Sequence, residues 1–380
     1  MASSVPSNSW AVSRHYGMFK RPTKDRPRRG NSIPKRLVIC CDGTWNTADE
    51  RDSQGRLCPT NVTKVSRVIT PRDARGWEQK VFYHKGVGTG FIDKLRGGAF
   101  GWGLSANVKD VYRFLIANYD PGDEMFFFGF SRGAYTARST VGLIRNCGLL
   151  KREYANKLDD AYDLYRRRDD ASHPDATEAT QFRQRFALEP SVRFVGVWDT
   201  VGALGIPIDG LNWLNTAWQF HDVKLSKIVQ YAYQALAIDE RRKPFEPAIW
   251  ERQDHATVQT VEQVWFAGVH SDVGGGYAVC GLSDIALRWM MAKAEACGLA
   301  FDRTSLDQTC QPDPLAAIHD SMTWFYKMWG RYVRPIGRGV NGNESVASTA
   351  VQRREKMGPT YDPENVRAYL PEGKVAMVRT

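Results

Sequence analysis

Residues 124–133 read EMFFFGFSRG, an apolar run that leads straight into the pentapeptide GFSRG at 129–133. The run predicts a buried strand, and residues 134–138 begin a helical pattern. In a G-x-S-x-G turn between a strand and a helix, the serine is held in a strained backbone with its hydroxyl above the sheet. Glycines on either side leave room for the neighbouring strand and helix. This setting favours Ser131 as a nucleophile over a residue of a structural turn.

Other apolar runs extend the pattern on both sides of the pentapeptide. Strands are predicted at 36–41, 80–83, 192–198 and 264–269, the last of these closing the core, and helices at 108–119, from the pentapeptide to Gly148, and at 283–297 and 313–330. Strands that alternate with helices predict a parallel sheet with right-handed crossovers. The sequence therefore predicts an α/β fold of the α/β-hydrolase-like kind, with a mostly parallel central sheet flanked by helices and with helical insertions.

The charge of the chain is concentrated at one end. Residues 1–36 hold nine Lys or Arg and one acid, Asp25, which accounts for +8 of the formal net charge of +10. A segment rich in Pro, Ser and Arg is typical of disorder. We predict a basic, disordered tail at 1–34 and a single domain at 35–380, with insertions at about 151–187 and 204–230.

The basic tail fits either a contact with phosphates or lipid headgroups or a solvated extension. The rest of the chain is close to neutral, so no nucleic-acid partner is expected. There is no run of eighteen apolar residues and no apolar leader, which predicts cytoplasmic synthesis without a signal peptide. Seven cysteines without C-x-x-C spacing predict reduced thiols and no zinc site, so neither a metal nor another cofactor is expected.

A serine hydroxyl needs a histidine to take its proton and an acid to orient that histidine. In α/β hydrolases the chain order is Ser, then Asp or Glu, then His, each just beyond the carboxyl end of a strand. Asp199 directly follows the run that ends at Trp198, and His270 directly follows the run that ends at Val269. Ser131, Asp199 and His270 are therefore predicted to be nucleophile, orienting acid and base.

Two alternatives remain for the partners of the serine. His319 lies downstream of Ser131 and beside an acid, but the residues around it predict a helix, which disfavours it as the base. Asp272 could replace Asp199 as the orienting acid, although a position two residues from His270 makes that geometry harder to form.

Two further parts of an active site are predicted. The oxyanion hole is expected to use the backbone N–H of Arg132 and that of Gly43 or Thr44, in the loop after the first strand. The segment between the predicted acid and base fits a lid, an acyl pocket or an ordinary core segment. Its large apolar residues are Leu211, Trp213, Leu214, Trp218 and Phe220.

Six blocks in the same order carry a resemblance to a known family. They are CDGTWN at 41–46, GVGT at 86–89, GFSRGA at 129–134, VWDTVG at 197–202, ALAIDERR at 235–242 and GVHSDVGGGY at 268–277. Together they resemble a widespread family of α/β-hydrolase-like proteins that includes the catalytic domain of the class-one type VI secretion phospholipase effectors. The resemblance runs over about residues 35–365. It implies the triad roles for Ser131, Asp199 and His270, cleavage of fatty acyl esters of phospholipids, and export by a dedicated secretion system.

The sequence thus predicts a serine hydrolase that cleaves a carboxylic ester, above all an acyl ester of a phospholipid, through an acyl-enzyme intermediate. Peripheral contact with a membrane fits this prediction, and the oligomeric state is left open. Two alternatives stay open for the function. One is a hydrolase of a soluble ester or thioester, and the other is a non-catalytic hydrolase-like protein that binds anionic partners through its basic tail.

Overall fold

The computed structural model describes residues 33–43, 49–86, 100–167, 169–201, 225–253, 259–322, 324–327, 330–339 and 342–379. The strands are β1 (Arg36–Cys41), β2 (Gln79–His84), β3 (Glu124–Phe130), β4 (Leu149–Leu150), β5 (Ala187–Leu188), β6 (Val192–Trp198), β7 (Val229–Ala237), β8 (Thr260–Phe266), β9 (Glu344–Ala347) and β10 (Val375–Ala376). Eight of them form one sheet in the order β10-β9-β8-β7-β6-β3-β1-β2. Each neighbouring pair in that sheet is parallel.

Helices cover both faces of the sheet. They are α1 (Asn61–Val68), α2 (Phe100–Asn118), α3 (Arg132–Cys147), α4 (Leu158–Arg166), α5 (Thr177–Phe186), α6 (His270–Gly274), α7 (Gly281–Ala296), α8 (Arg303–Thr309), α9 (Trp324–Lys327), α10 (Ser348–Met357) and α11 (Glu364–Tyr369). Residues of α1, α7, α10 and α11 pack on one face, and residues of α2, α3 and α4 pack on the other. The α/β-hydrolase-like fold class predicted from the sequence is confirmed.

The alternation of side chains along the central strands explains their uninterrupted apolar runs. In β3, Phe126 and Phe128 pack into the core under α1 and α7, whereas Met125 and Phe127 pack into the core under α2 and α3. Because both faces of a parallel sheet are covered, successive residues of its central strands are mostly apolar. The strand before Ser131 therefore has no polar side.

The predicted strands at 36–41, 80–83, 124–128, 192–198 and 264–269 correspond to β1, β2, β3, β6 and β8. The sequence analysis missed β7, β9 and β10, so β8 does not close the core. In β7, Gln234 is fully buried and donates to the Ala248 carbonyl at 3.2 Å, and such internal polar residues disguise a buried strand. Strands β9 and β10 have four and two residues, which is too short to show a period.

The predicted helix at 313–330 is wrong. Residues 313–322 form a turn and irregular backbone, and only Trp324–Lys327 is helical in the described part of that range. The guanidinium of Arg353 on α10 donates to the carbonyls of Pro314 and Ala316, both at 2.7 Å. A side chain from a distant helix thus satisfies backbone acceptors that a helix would have satisfied internally.

The chain between β4 and β5 is mostly helical. It contains a 3₁₀ helix at Arg152–Lys157, α4, a second 3₁₀ turn at Asp170–Ser172, and α5. β4 and β5 pair with each other in antiparallel fashion, apart from the main sheet. The division of the chain into a tail and one domain with two insertions stays a prediction.

Candidate active site

The turn after β3 holds Ser131 in a conformation that few L-residues adopt. Its backbone lies at φ 56° and ψ −121°, between the end of β3 and the first residue of α3. A Cβ added to Gly133 would lie 2.1 Å from the Cys41 carbonyl oxygen, and one added to Gly129 would lie 2.5 Å from the Cα of Ala134. No larger side chain fits at either place, so the two glycines make the sharp turn possible. Ser131 itself is 7% exposed.

Parallel strands place Ser131, Asp199 and His270 at one edge of the sheet. The Ser131 N–H donates to the Trp198 carbonyl at 3.1 Å, which sets the serine beside the end of β6. Asp199 is the next residue, with a φ of 39°, and His270 is the first residue of α6, just after β8. The carboxyl edge of an open parallel sheet is where such folds build their sites.

Asp199 and His270 are joined by a short hydrogen bond. The distance from His270 Nδ1 to Asp199 Oδ2 is 2.5 Å, and both side chains are buried. The imidazole ring packs against Phe130 and Phe245, with centroid distances of 4.6 Å and 5.0 Å. A neutral imidazole that donates from Nδ1 keeps Nε2 as a proton acceptor, which is what activation of a serine hydroxyl requires.

The remaining contact of a triad is not closed in this conformation. Among the described residues, no hydrogen bond joins Ser131 to His270, although Phe130, the neighbour of the serine, packs on the imidazole ring. Nucleophile–base contacts in hydrolases are often loose before the substrate is in place and tighten in its complex.

Arg334 is a site residue that the sequence analysis missed. Its guanidinium binds Asp199 with both ends, Nη1 to Oδ1 at 2.7 Å and Nη2 to Oδ2 at 3.0 Å. It lies 135 positions after Asp199, in a segment with neither helix nor strand. No motif or period marks such a residue, so the sequence carries no signal by which to find it.

The Asp199 carboxylate therefore accepts four hydrogen bonds. Besides the two from Arg334 and one from His270, the Ala237 N–H donates to Oδ1 at 3.0 Å. Burial acts to raise the pKa of Asp199, but the Arg334 charge and the hydrogen bond from His270 outweigh it and hold that pKa well below its ordinary value. Burial lowers the pKa of His270, against the opposing effect of Asp199. Both shifts favour an ionised acid and a neutral base.

A second buried acid supports His270 from its backbone side. Glu240 Oε2 accepts the His270 N–H at 3.2 Å, and Ser321 Oγ donates to the same carboxylate at 3.1 Å and 3.2 Å. Arg242 grips Glu240 through Nε at 2.8 Å and Nη2 at 2.7 Å. Burial of Glu240 alone would raise its pKa, but the hydrogen bond and charge of Arg242 lower that pKa to about 2. Glu240 and Arg242 lie in the block at 235–242, where no role was predicted.

The predicted oxyanion donors differ in their surroundings. Arg132 is the first residue of α3, so its N–H lies in the first turn of that helix. The Gly43 N–H donates to Asp42 Oδ1 at 2.7 Å and is therefore already engaged. Thr44 lies outside the described residues. The Asp42 carboxylate is held by three further donors, the hydroxyls of Thr60, Thr63 and Tyr83.

The two alternatives weighed from the sequence are bound to each other. His319 Nδ1 lies 2.6 Å from Asp272 Oδ1, and the His319 N–H donates to Asp272 Oδ2 at 3.1 Å. The His319 ring stacks on Tyr277 with centroids 3.9 Å apart. Asp272 also accepts the Val269 N–H at 3.1 Å. Asp272 is thus a partner of His319, whereas the partner of His270 is Asp199.

The segment predicted as a lid or acyl pocket lies outside the described residues, with all five of its apolar side chains. Within the described residues, no group of three His, Cys, Asp or Glu side chains is placed to hold a metal ion. The same residues contain no helix with the length and apolar character that a membrane crossing needs. All seven cysteines are free thiols.

Comparison with known proteins adds a family. A family model described as "T6SS, Phospholipase effector Tle1-like, catalytic domain" matches residues 35–293. The uncharacterised protein YEL023C of Saccharomyces cerevisiae is 28% identical in an alignment of 242 positions that covers 58% of this chain and 33% of the yeast protein. This chain therefore spans about a third of the length of that curated relative.

Two solved structures are similar at low identity. An uncharacterised protein from Pseudomonas aeruginosa has a TM-score of 0.41 and 16% identity, over 74% of this chain and 49% of that chain. The Tle1 effector bound to the VgrG spike from the type VI secretion system has a TM-score of 0.43 and 15% identity, over 76% of this chain and 78% of that chain.

Proposed function

The chain belongs to the family of Tle1-like catalytic domains of type VI secretion phospholipase effectors, and from this premise we propose that it is a serine hydrolase of phospholipid acyl esters. The observation that carries the proposal is the buried Asp199–His270 pair beside the strained turn of Ser131. A charged acid on Nδ1, a neutral imidazole and a serine on a tight strand-to-helix turn are the parts that acyl transfer needs.

In the proposed reaction, Ser131 Oγ attacks the acyl carbonyl carbon while Nε2 of His270 takes the hydroxyl proton. The negative charge that develops on the carbonyl oxygen is stabilised by the N–H of Arg132 at the start of α3, with Thr44 as the second donor. Gly43 is left out because its N–H already binds Asp42. Asp199 orients the imidazole and stabilises the imidazolium that forms.

The tetrahedral intermediate then collapses into the acyl-enzyme. The bond from the carbonyl carbon to the alcohol oxygen of the lipid breaks, and the imidazolium of His270 gives its proton to that oxygen. Water attacks the acyl-enzyme with His270 again as the base, and the free fatty acid leaves as Ser131 regains its proton. One histidine thus serves first as base and then as acid in each half of the reaction.

Phospholipid is the proposed substrate class because of the family. The family that matches residues 35–293 is that of catalytic domains of type VI secretion phospholipase effectors. We propose by extension that the protein works at a membrane surface and leaves the cell through a dedicated secretion system. The apolar segment at 204–220 is proposed to cover the acyl chain, and the basic residues of 1–34 to contact anionic headgroups.

The first test replaces the nucleophile. Ser131→Ala should abolish labelling by a fluorophosphonate probe and the release of fatty acid from phosphatidylglycerol or phosphatidylethanolamine vesicles. Ser139→Ala is the matched control, because Ser139 is a buried serine about two turns further along the same helix and should keep both activities. Labelling that persists in Ser131→Ala would contradict the serine mechanism.

The same assays separate the alternatives. Turnover of short soluble esters or thioesters without release of fatty acid from vesicles would indicate a hydrolase of soluble substrates. Absence of labelling and turnover in the wild-type protein, together with salt-sensitive binding to anionic vesicles that disappears on deletion of residues 1–34, would indicate a binding protein.

A further inference from the structure

We propose that Arg334 is a fourth member of this active site, a positioning residue that holds the Asp199 carboxylate ionised and correctly oriented for His270. This inference rests on the proposed function, because it assigns Arg334 a role in the same reaction. It is a positioning residue rather than a catalytic one, since its side-chain hydrogen bonds within the described residues go to Asp199, Ala237 and Phe245 and it acts through Asp199.

The geometry of the contact is that of a clamp. Both nitrogens of the guanidinium fork meet both oxygens of the carboxylate, at 2.7 Å and 3.0 Å, and neither side chain is exposed to solvent. A bidentate pair of this kind fixes the plane of the carboxylate as well as its position. A lysine can supply the charge of Arg334 but not the fork, because its ammonium is a point charge.

Arg334 is itself held from the same edge of the sheet. Its remaining Nη protons are donated to the carbonyls of Ala237, at 3.0 Å, and Phe245. The Ala237 N–H binds Asp199 Oδ1, so one residue at the end of β7 orients both partners of the clamp. On α11, Asn365 Nδ2 donates to the carbonyls of Arg334 and Ile238, at 3.0 Å and 3.1 Å, which ties the irregular segment to the end of β7.

The charge of Arg334 also changes what His270 experiences. Among the described residues, the charged groups that influence the imidazole are Asp199 after β6, Glu240 after β7 and Arg242 in the following loop, and Arg334 lies behind Asp199. An isolated Asp199 anion would stabilise the imidazolium strongly and raise the pKa of His270. With the Arg334 cation beside that anion, the imidazole stays a neutral base at lower pH. Arg334 therefore has two effects: it orients the Asp199 carboxylate, and it lowers the pH at which His270 becomes protonated.

Arg334 lies beyond residues 35–293, the range of the family match. The family match by itself therefore does not point to this residue, and the contact emerges only from the way the last part of the chain returns to the sheet. The segments that bring it there are the irregular stretch at 330–335 and α11.

The test compares two buried arginines. Arg334→Gln should lower kcat about 10- to 100-fold with KM nearly unchanged, less than the loss of about 10⁴-fold seen when a triad acid itself is replaced. The acid limb of its kcat/KM profile should move up by about one pH unit, since one neighbouring charge shifts a pKa by about 1 to 3 units. Arg353→Gln is the matched control, because Arg353 is also buried and its guanidinium donates to the Pro314 and Ala316 carbonyls and lies over the Tyr361 ring, whereas that of Arg334 binds Asp199.

Arg334→Lys separates the two consequences. It should keep the acid limb close to that of the wild type while kcat falls, because the charge remains and the fork is lost. An Arg334→Gln protein with a wild-type acid limb would overturn the proposal, and so would an equal shift in Arg353→Gln. If Arg334→Gln does not fold, Arg334→Lys and Asn365→Ala serve as the test, and kcat should fall in both. A circular-dichroism melt of each variant shows that the protein is folded. A wild-type kcat in both variants would overturn the proposal.

A measurement without substrate keeps this inference distinct from the proposed function. The pKa of His270 can be followed by NMR in protein labelled with ¹⁵N-histidine, with His270→Gln for assignment. A rise of about one unit in Arg334→Gln supports the role of Arg334 even if the wild-type protein fails to hydrolyse phospholipid. An unchanged pKa overturns it even if the wild-type protein is an active phospholipase.

Discussion

Two histidine–aspartate pairs have similar short contacts between a ring nitrogen and a carboxylate oxygen, and each pair uses one residue of α6. In one, His270 Nδ1 is 2.5 Å from Asp199, and in the other, His319 Nδ1 is 2.6 Å from Asp272. Their surroundings differ. The His270 side chain is 7% exposed, whereas that of His319 is 30% exposed and stacks on Tyr277.

The two histidines differ in which carboxylates bind their ring and their backbone N–H. Asp272 binds both the ring and the backbone N–H of His319, and also the Val269 N–H just before α6, so a single acid ties a loop to the start of a helix. For His270 these tasks are split, because Glu240 takes the backbone N–H and Asp199 takes the ring.

This division leaves Asp199 free to be positioned by Arg334 and Ala237 rather than by the histidine's own backbone. A short contact between histidine and aspartate therefore does not by itself distinguish the two pairs. The pairs differ in their surroundings: Asp199 follows a strand end beside the strained Ser131, whereas Asp272 joins the loop of His319 to the start of α6. The following predictions test this contrast.

Replacing the two histidines should give the largest difference. We expect His270→Ala to lower kcat by about 10⁴- to 10⁶-fold, because a serine hydroxyl without its base is a poor nucleophile. His319→Ala should keep kcat within about tenfold, since its pair serves the packing of residues 311–322 against α6. Hydrolysis of a fluorogenic ester measures both. Equal losses would show that the two pairs are not distinct in function.

Replacing the two acids should give a smaller difference in activity than replacing the two histidines. One replacement should mainly lower kcat, and the other should mainly lower stability. Asp199→Asn is expected to lower kcat by about 10³- to 10⁴-fold, because the amide can hold the wrong tautomer of His270. Asp272→Asn should retain most activity and instead destabilise the fold by about 1 kcal/mol, as expected for a weakened helix cap. Steady-state kinetics and urea unfolding of both variants measure this. A kcat loss in Asp272→Asn as large as that in Asp199→Asn would remove the distinction.

The acid that holds the His270 backbone should show the smallest effect, and one that depends on pH. The pKa of Glu240 is about 2 in the folded protein against an ordinary value of 4.5, so its stabilisation is present above pH 4.5 and is lost as the pH falls towards 2. Glu240→Gln should therefore unfold at lower urea concentration than the wild type at pH 7, and the gap should narrow below pH 4.5. A gap that is the same from pH 7 to pH 3 would contradict this role of Glu240.

The sequence alone predicted most of the strands that are apolar on both faces, and it predicted the turn between β3 and α3. It did not reveal β7, where polar residues such as Gln234 are satisfied by distant carbonyls. It also predicted a helix around His319. The spacing of apolar residues does not reveal that Arg353 donates hydrogen bonds to the Pro314 and Ala316 carbonyls in that segment. The preference for His270 over His319 partly rested on that helix, and the structure supplies a different ground, the separate engagement of His319 by Asp272.

The sequence by itself determined the parallel α/β sheet and the glycine-framed turn of Ser131, because apolar runs and small residues act within a few positions of each other. It also determined the order in which serine, acid and histidine follow their strands. The tertiary structure alone decided which acid meets which histidine, and that Arg334 and Glu240 join them. Those contacts bridge 135 and 30 positions of chain, and no local pattern encodes a partner that only the folding of the whole sheet brings within hydrogen-bond distance.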